Sequence, residues 1–202
     1  MRDPYLYEDI DVLKNKLAIH STEELIEAEA NITYLLFLAI DKEFEQMPFD
    51  FNRLCAIHHY LFGDIYDWAG KSRSVPMVKG EKVLGGDTVH YSTPDAIEDD
   101  AAKVIAALNA IDWTQLSAEE ISQQFARLIA TLWQVHPFRE GNTRTVVTFA
   151  TQFATAHGFP MDKNLLREHA SYVRDTLVKA SDGPYLEYKF LREIFKDAIL
   201  QG

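Results

Sequence analysis

The chain has 202 residues, of which 47% are hydrophobic, and this length suits one sizeable folded domain. It contains no apolar run of about 18 residues and no basic start followed by an apolar stretch, so we expect neither a membrane span nor a secretory signal. This favours a cytoplasmic protein. The net charge of −11 argues against direct nucleic-acid binding, which relies on clustered lysines and arginines.

Helical periodicity dominates the chain. Ser21 precedes two glutamates and predicts a helix running to about Phe44, and the next apolar stripe predicts a second helix from about Phe51 to Tyr66. Ser117 and Glu120 form a capping-box pattern ahead of a helix that Pro137 ends. The same spacing predicts four more helices, at Ala96–Leu108, Thr143–His157, Asp162–Lys179 and Pro184–Leu200. The fold class predicted is all-α.

The stretch Ser72–His90 departs from this helical pattern. Short apolar runs are separated by Lys79-Gly80-Glu81 and by Gly85-Gly86, which is typical of strands joined by turns. The sequence therefore predicts a short β-hairpin, or flap, at about 72–91.

The joint between two predicted helices, His136 to Arg144, has residue types that suit phosphate chemistry. Gly141 and Asn142 tolerate positive φ, so successive N–H groups can converge on an anion at the start of the next helix. Arg144 offers a fork of donors to a second phosphate, and Glu140 is an oxygen ligand suited to Mg²⁺. His136 suits a general base near neutral pH.

Each of these residues also has a purely structural interpretation. A histidine at a helix end is commonly a cap, and Gly141-Asn142 is an ordinary turn pair. The combination of a base, a carboxylate, an anion nest and an arginine within nine residues is much rarer than any one of them. We therefore interpret the joint as a functional site for a phosphate-bearing nucleotide.

The segment HPFREGNTR resembles the Fic family signature, HPFx(D/E)GN followed by a small residue and arginine. The stretch IHHYLFGDIYDWAGKSR (Ile57–Arg73) and the early DPYLY and VLKNKLAI are similar to other parts of the family, so the resemblance spans most of Asp3–Phe195. It implies an all-α fold with a β-hairpin flap, and transfer of AMP from ATP to a hydroxyl of a target protein with a divalent metal. We expect one domain over 1–202, with an extension at 1–20 and a catalytic loop at 136–144.

The resemblance also implies a role for each matching residue. His136 would deprotonate the target hydroxyl, Glu140 would hold Mg²⁺ against the phosphates of ATP, and Phe138 would anchor the loop in the core. The expected phosphate-binding residues are Gly141, Asn142, Thr143 and Arg144. The flap would dock an extended segment of the target protein, although a flap without a partner is an alternative. The expected docking residues are Val75, Met77, Val78, His90 and Tyr91.

Two positions depart from the family pattern. Thr143 stands where glycine is most common, and Val147 stands where many members have a second arginine that pairs with an inhibitory glutamate. The inhibitory pattern, Ser or Thr followed four residues later by Glu and then Gly or Asn, does not occur in the 202 residues. We hypothesise that this domain lacks that form of inhibition, while a separate antitoxin chain stays a possible partner.

Two alternatives to AMP transfer stay open. In the first, the same site transfers another phosphate-containing group or removes AMP, since Thr143 and Val147 leave that choice undecided. In the second, the domain is a catalytically weak module that binds a protein through the flap. The presence of His136, Glu140, Asn142 and Arg144 counts against the second alternative.

Overall fold

The computed structural model describes residues 3–40, 43–181 and 183–199. Within these ranges the architecture is helical, and the β pairing consists of three isolated bridges, which confirms the all-α prediction. None of the described helices is long and apolar enough to cross a membrane. The helices are α1 Thr22–Ala39, α2 Phe51–Phe62, α3 Ile97–Asn109, α4 Ala118–Val135, α5 Asn142–Ala156, α6 Lys163–Glu168, α7 Ala170–Lys179 and α8 Lys189–Ala198.

Side-chain caps fix the starts of several helices. The Ser21 hydroxyl accepts a hydrogen bond from the Glu24 N–H at the start of α1. At α4, the Ser117 hydroxyl accepts from the Glu120 N–H while the Glu120 carboxylate accepts from the Ser117 N–H. Both starts were predicted, because a capping motif acts over only three or four residues.

Several predicted boundaries were wrong. Helix α1 ends at Ala39 instead of near Phe44, and residues 41 and 42, which the prediction included, lie outside the described residues. Helix α2 ends at Phe62 instead of near Tyr66, and it is followed by a turn in which the N–H groups of Ile65 and Tyr66 both donate to the carbonyl of Phe62.

The two last predicted helices also differ from the structure. The predicted helix Asp162–Lys179 is two helices, because His169 leaves the helical region at φ −106° and ψ 26°. Helix α8 begins at Lys189, since Pro184 and Tyr185 form a turn and residues 186–188 have no regular structure. The predicted end, Leu200, lies outside the described residues.

Helix α4 lies at the centre of the domain and packs against α3, α5, α7 and α8. Its buried face contributes Phe125, which contacts the rings of Trp113, Phe153 and Phe195. Helix α5 packs in turn on α2. The joint between α4 and α5 therefore connects two core helices, and α2 packs against the second of them.

The flap at 72–91 contains much less β pairing than predicted. One antiparallel bridge joins Gly80 to Thr88, and a single 3₁₀ turn covers Lys82–Leu84 between them. Pro76 has no N–H to give to a ladder, and the carboxylate of Glu81 turns inward to bind Arg174 on α7. The flap is consequently held by side chains and not by a strand ladder.

Candidate active site

His136 ends α4 with its backbone in the left-handed region, at φ 51° and ψ 58°. Its side chain is buried, and neither ring nitrogen has a hydrogen-bond partner in the part of the chain that the structure describes. The ring packs against Tyr91, with 4.2 Å between ring centroids, and against the edge of Trp133. A strained backbone and an unpartnered polar ring are both costly, and such features concentrate at functional sites.

The surroundings of His136 keep its imidazole neutral. Burial lowers its pKa well below the usual value, and the positive charges of Lys79 and Arg73 lower it further. A neutral imidazole with free nitrogens can accept a proton from a bound molecule.

Arg73 joins His136 to the flap. This buried arginine donates from Nε to the His136 carbonyl at 2.8 Å and from Nη1 to the Val75 carbonyl at 2.6 Å. Its Nη2 donates to the carbonyl of Ser92 at the other end of the flap. One guanidinium therefore ties the catalytic loop to both ends of the flap, and no local sequence motif indicated this role.

The loop between the helices is braced from two sides. The side chain of Asn142 accepts from the N–H of Phe138 at 2.9 Å and donates to its carbonyl at 2.7 Å. The Nδ1 atom of His58, on α2, accepts a hydrogen bond from the N–H of Gly70. The ring proton is therefore on Nε2, which donates to the Glu140 carbonyl at 3.0 Å. Burial lowers the pKa of His58 to about 3, so this brace is uncharged. Phe138 is fully buried, as predicted.

The start of α5 presents a set of free backbone donors. Gly141 has φ 79° and caps the helix, and its own N–H donates to the Glu140 carboxylate at 3.0 Å. Within the described residues, the N–H groups of Asn142, Thr143 and Arg144 have no acceptor. Free donors and the positive end of the helix dipole together favour an anion at this point.

Glu140 stands beside this anion site with a cation already close to it. The Lys79 ammonium, on the flap, lies 3.5 Å from Oε2 of Glu140. Burial alone would raise the pKa of Glu140, but Lys79, the N–H of Gly141 and the charge of Arg144 outweigh it and lower the pKa. The carboxylate is therefore ionised and electrostatically disposed to hold a cation.

Arg144 is held by α1, which the sequence analysis did not anticipate. Its Nη2 pairs with the carboxylate of Glu29, its Nη1 donates to Thr33 Oγ1 at 3.2 Å, and its guanidinium lies 4.6 Å from the ring centroid of Phe62. Tyr66 donates its hydroxyl to the same carboxylate. Glu29 is buried in line with two other buried residues of α1 spaced four apart, and this spacing could have indicated its burial but not its partner.

The flap residues that were predicted to dock the target protein differ in their exposure. Val78 is 80% exposed and His90 is also exposed, whereas Val75 and Met77 are half-buried. Tyr91 instead forms a wall of the site, with its ring on His136 and its hydroxyl donating to Glu81 at 3.4 Å.

A cavity of about 830 Å³ opens between α1, the catalytic loop and the pair α6–α7. Glu140, Thr143, Arg144 and Val147 line it on the side of the loop, and apolar residues of α1 line the other side. This volume falls in the range of small-molecule and cofactor sites. The cavity therefore borders the loop at Glu140, Thr143 and Arg144 and is large enough for a nucleotide, while His136 is not part of its lining.

Thr143 has a structural role that glycine could not fill. Its Oγ1 accepts a hydrogen bond from the indole N–H of Trp133 at 2.9 Å. The side chain is thereby directed toward α4, and its backbone N–H still belongs to the free donors at the start of α5.

We expect Thr143→Gly to lower the free energy of unfolding by about 1–3 kcal/mol, because the buried indole N–H of Trp133 would lose its partner. Urea denaturation would measure the difference. Thr143→Ser keeps the hydroxyl and should stay close to wild type. Equal stability of Thr143→Gly and wild type would contradict the assigned role.

Comparison with known proteins places this site in a family. Residues 48–154 match the Fic/DOC family, and the chain belongs to that family. It is 32% identical to the probable protein adenylyltransferase y4lH of Sinorhizobium fredii, over 82% of each chain. It is 31% identical to the protein adenylyltransferase VbhT of Bartonella schoenbuchensis, over 79% of this chain and 32% of VbhT, so it spans about a third of that protein.

Solved structures agree with the fold. BepC of Bartonella tribocorum, solved with AMPPNP, superposes with a TM-score of 0.81 at 21% identity, covering 98% of this chain and 97% of that chain. The N-terminal Fic domain of a putative cell filamentation protein of Bartonella quintana, solved with ADP, gives 0.75 at 26% identity, covering 96% and 93%. Both similarities extend well beyond the motif and cover nearly the whole fold.

Proposed function

We propose that this domain is a protein adenylyltransferase, which transfers AMP from ATP to a hydroxyl side chain of a target protein. The observation that carries the proposal is the buried, neutral and unpartnered imidazole of His136 next to free backbone donors at the start of α5. The names of y4lH and VbhT support it, and so does the ADP-bound relative from Bartonella quintana.

His136 acts as the general base. One ring nitrogen takes the proton of the target hydroxyl as its oxygen attacks the α-phosphorus of ATP, so that a new P–O bond forms and the bond to pyrophosphate breaks. The free N–H groups of Asn142 and Thr143 stabilise charge on the phosphate oxygens. The braces from His58 and Asn142 keep these groups in place before ATP arrives, which reduces the reorganisation needed for the reaction.

Arg144 binds the two phosphates of ATP that leave as pyrophosphate. Each Nη atom of a guanidinium carries two hydrogens, so Arg144 keeps donors for ATP while Glu29 and Thr33 fix its orientation. Val147, on the wall of the cavity, adds no charge there.

Glu140 is the residue that would hold Mg²⁺. A single ionised carboxylate at the edge of an anion site fits this ion, which is commonly bound by one carboxylate together with substrate phosphates. The ammonium of Lys79 beside the same carboxylate shows that a positive charge is accommodated there. When bound, Mg²⁺ would neutralise phosphate charge.

The exposed part of the flap would present the target hydroxyl to His136. Val78 and His90 are accessible for contact with an extended segment, and Arg73 fixes the base of the flap beside the catalytic residue. An inhibitory antitoxin partner and a cytoplasmic location stay predictions from the sequence.

Intact-protein mass spectrometry after incubation with ATP and Mg²⁺ tests the proposal, because a transferase with reactive hydroxyls nearby can modify itself. We expect an adduct with the mass of one AMP. An adduct of another mass would identify a different transferred group. If neither an adduct nor stabilisation of the fold by ATP were found, the proposal would fail.

A further inference from the structure

A second cavity, of about 680 Å³, lies outside the catalytic site, between α4 and α8. We refer to it as the α4–α8 groove. Its lining includes Arg127, Gln134, Tyr188, Lys189 and Arg192. None of these residues belongs to the catalytic loop or contacts the nucleotide cavity, so the proposed reaction leaves the groove without an assigned role.

The groove is positively charged in a chain whose net charge is −11. Arg127 and Lys189 are exposed, and neither has a carboxylate partner among the described residues. Arg192 is paired only loosely, at 3.8 Å from Glu119. Two unneutralised cations that line one groove are electrostatically complementary to carboxylates.

The groove leads toward the catalytic site. On α4 it is lined by Gln123, Arg127, Thr131 and Gln134, which share one helical face, and α4 ends next to His136. Gln134 also donates to the carbonyl of His90 at the base of the flap, at 3.0 Å. At a rise of 1.5 Å per residue the α4 side extends roughly 16 Å, enough for about five residues of an extended peptide.

We propose that the α4–α8 groove binds an acidic segment of the target protein that flanks the modified hydroxyl. The inference rests on the proposed function and extends it to the chemistry of the target. The cations pair with carboxylates of the segment, Gln123 provides an amide group for its main chain, and Tyr188 offers an aromatic surface. Continuity with the flap places such a segment beside the hydroxyl that His136 deprotonates.

The test uses a fluorescein-labelled peptide of alternating glutamate and tyrosine, eight residues long, and measures its binding by fluorescence anisotropy at low ionic strength, where charge screening is weak. We expect Arg127→Gln/Lys189→Gln to weaken binding about fivefold, as two exposed ion pairs of about 0.5 kcal/mol each would give. The control Lys14→Gln/Lys103→Gln removes the same charge from residues that do not line the groove, and should bind as wild type does.

The outcomes separate this inference from the proposed function. Binding that is insensitive to Arg127→Gln/Lys189→Gln, equal binding of a lysine–tyrosine peptide, or no binding to wild type would overturn the inference. Tighter groove-dependent binding of a single-stranded DNA oligomer than of the peptide would also overturn it. Self-modification is measured on the wild type alone, and its absence there, together with no stabilisation by ATP, would refute AMP transfer without affecting the peptide result.

Discussion

Replacing His136 by alanine is expected to lower the rate of AMP transfer by about 10²- to 10⁴-fold, the usual contribution of a general base. The imidazole makes no hydrogen bond to any described residue, so its removal should leave the phosphate-binding donors in place. ATP should therefore bind His136→Ala about as tightly as wild type. Initial rates of AMP incorporation at saturating ATP, together with the KM for ATP, would separate the two quantities.

His169→Ala is a suitable control for this experiment, because His169 is an exposed histidine at the break between α6 and α7. A variant lacking His136 that still transferred AMP at the wild-type rate would remove His136 from the mechanism.

The activity should also depend little on pH near neutrality. Burial, Lys79 and Arg73 lower the pKa of His136, so it stays unprotonated at pH values where a free histidine is half charged, about 6.5. The wild-type kcat should consequently be nearly the same at that pH as at about pH 8.

Replacing Gly141 by alanine is expected to lower the free energy of unfolding by about 2–5 kcal/mol. Gly141 has φ 79°, where a Cβ costs about 1–2 kcal/mol, and this Cβ would overlap the ring of Phe62 on α2. Overpacking of that kind typically adds about 1–3 kcal/mol. Urea denaturation, analysed for an unchanged m-value, would measure the loss.

Gly158→Ala provides the matched control for Gly141→Ala. Gly158 has a similar φ of 85°, but no atom of the described residues lies within 4 Å of the position its Cβ would take. It should show the backbone strain alone, and the difference between the two variants should report the clash with Phe62. Equal losses in the two variants would show that the loop and α2 are not packed as closely as the structure describes.

Much of the catalytic loop was predictable because its chemistry is contiguous. His136, Glu140, Gly141 and Arg144 lie within nine residues, so a short pattern was enough to indicate a base, a carboxylate and an anion site. The helix starts at Ser21 and Ser117 were predictable for a similar reason, since a cap and its partner are separated by three residues. Helical periodicity then gave the fold class.

The groups that orient the site were not predictable in the same way. Arg144 pairs with Glu29, Glu140 with Lys79, and the carbonyl of His136 with Arg73, at sequence separations of 115, 61 and 63 residues. A glutamate on an amphipathic helix usually faces solvent, so Glu29 carried no local sign of its partner. The function of Thr143 was equally hidden, since it depends on the indole of Trp133 on another helix.

The sequence by itself determined the helical class, the position of the loop that carries the family signature and the residue types to which the proposed chemistry is assigned, because caps, helical periodicity and the loop motif all act over a few neighbouring residues. Only the tertiary structure decided how the flap is held, which neighbours tune the pKa of His136 and Glu140, and where a positively charged groove meets the flap. These properties depend on burial and on distances between groups far apart in the chain, and packing of the helices is what sets both.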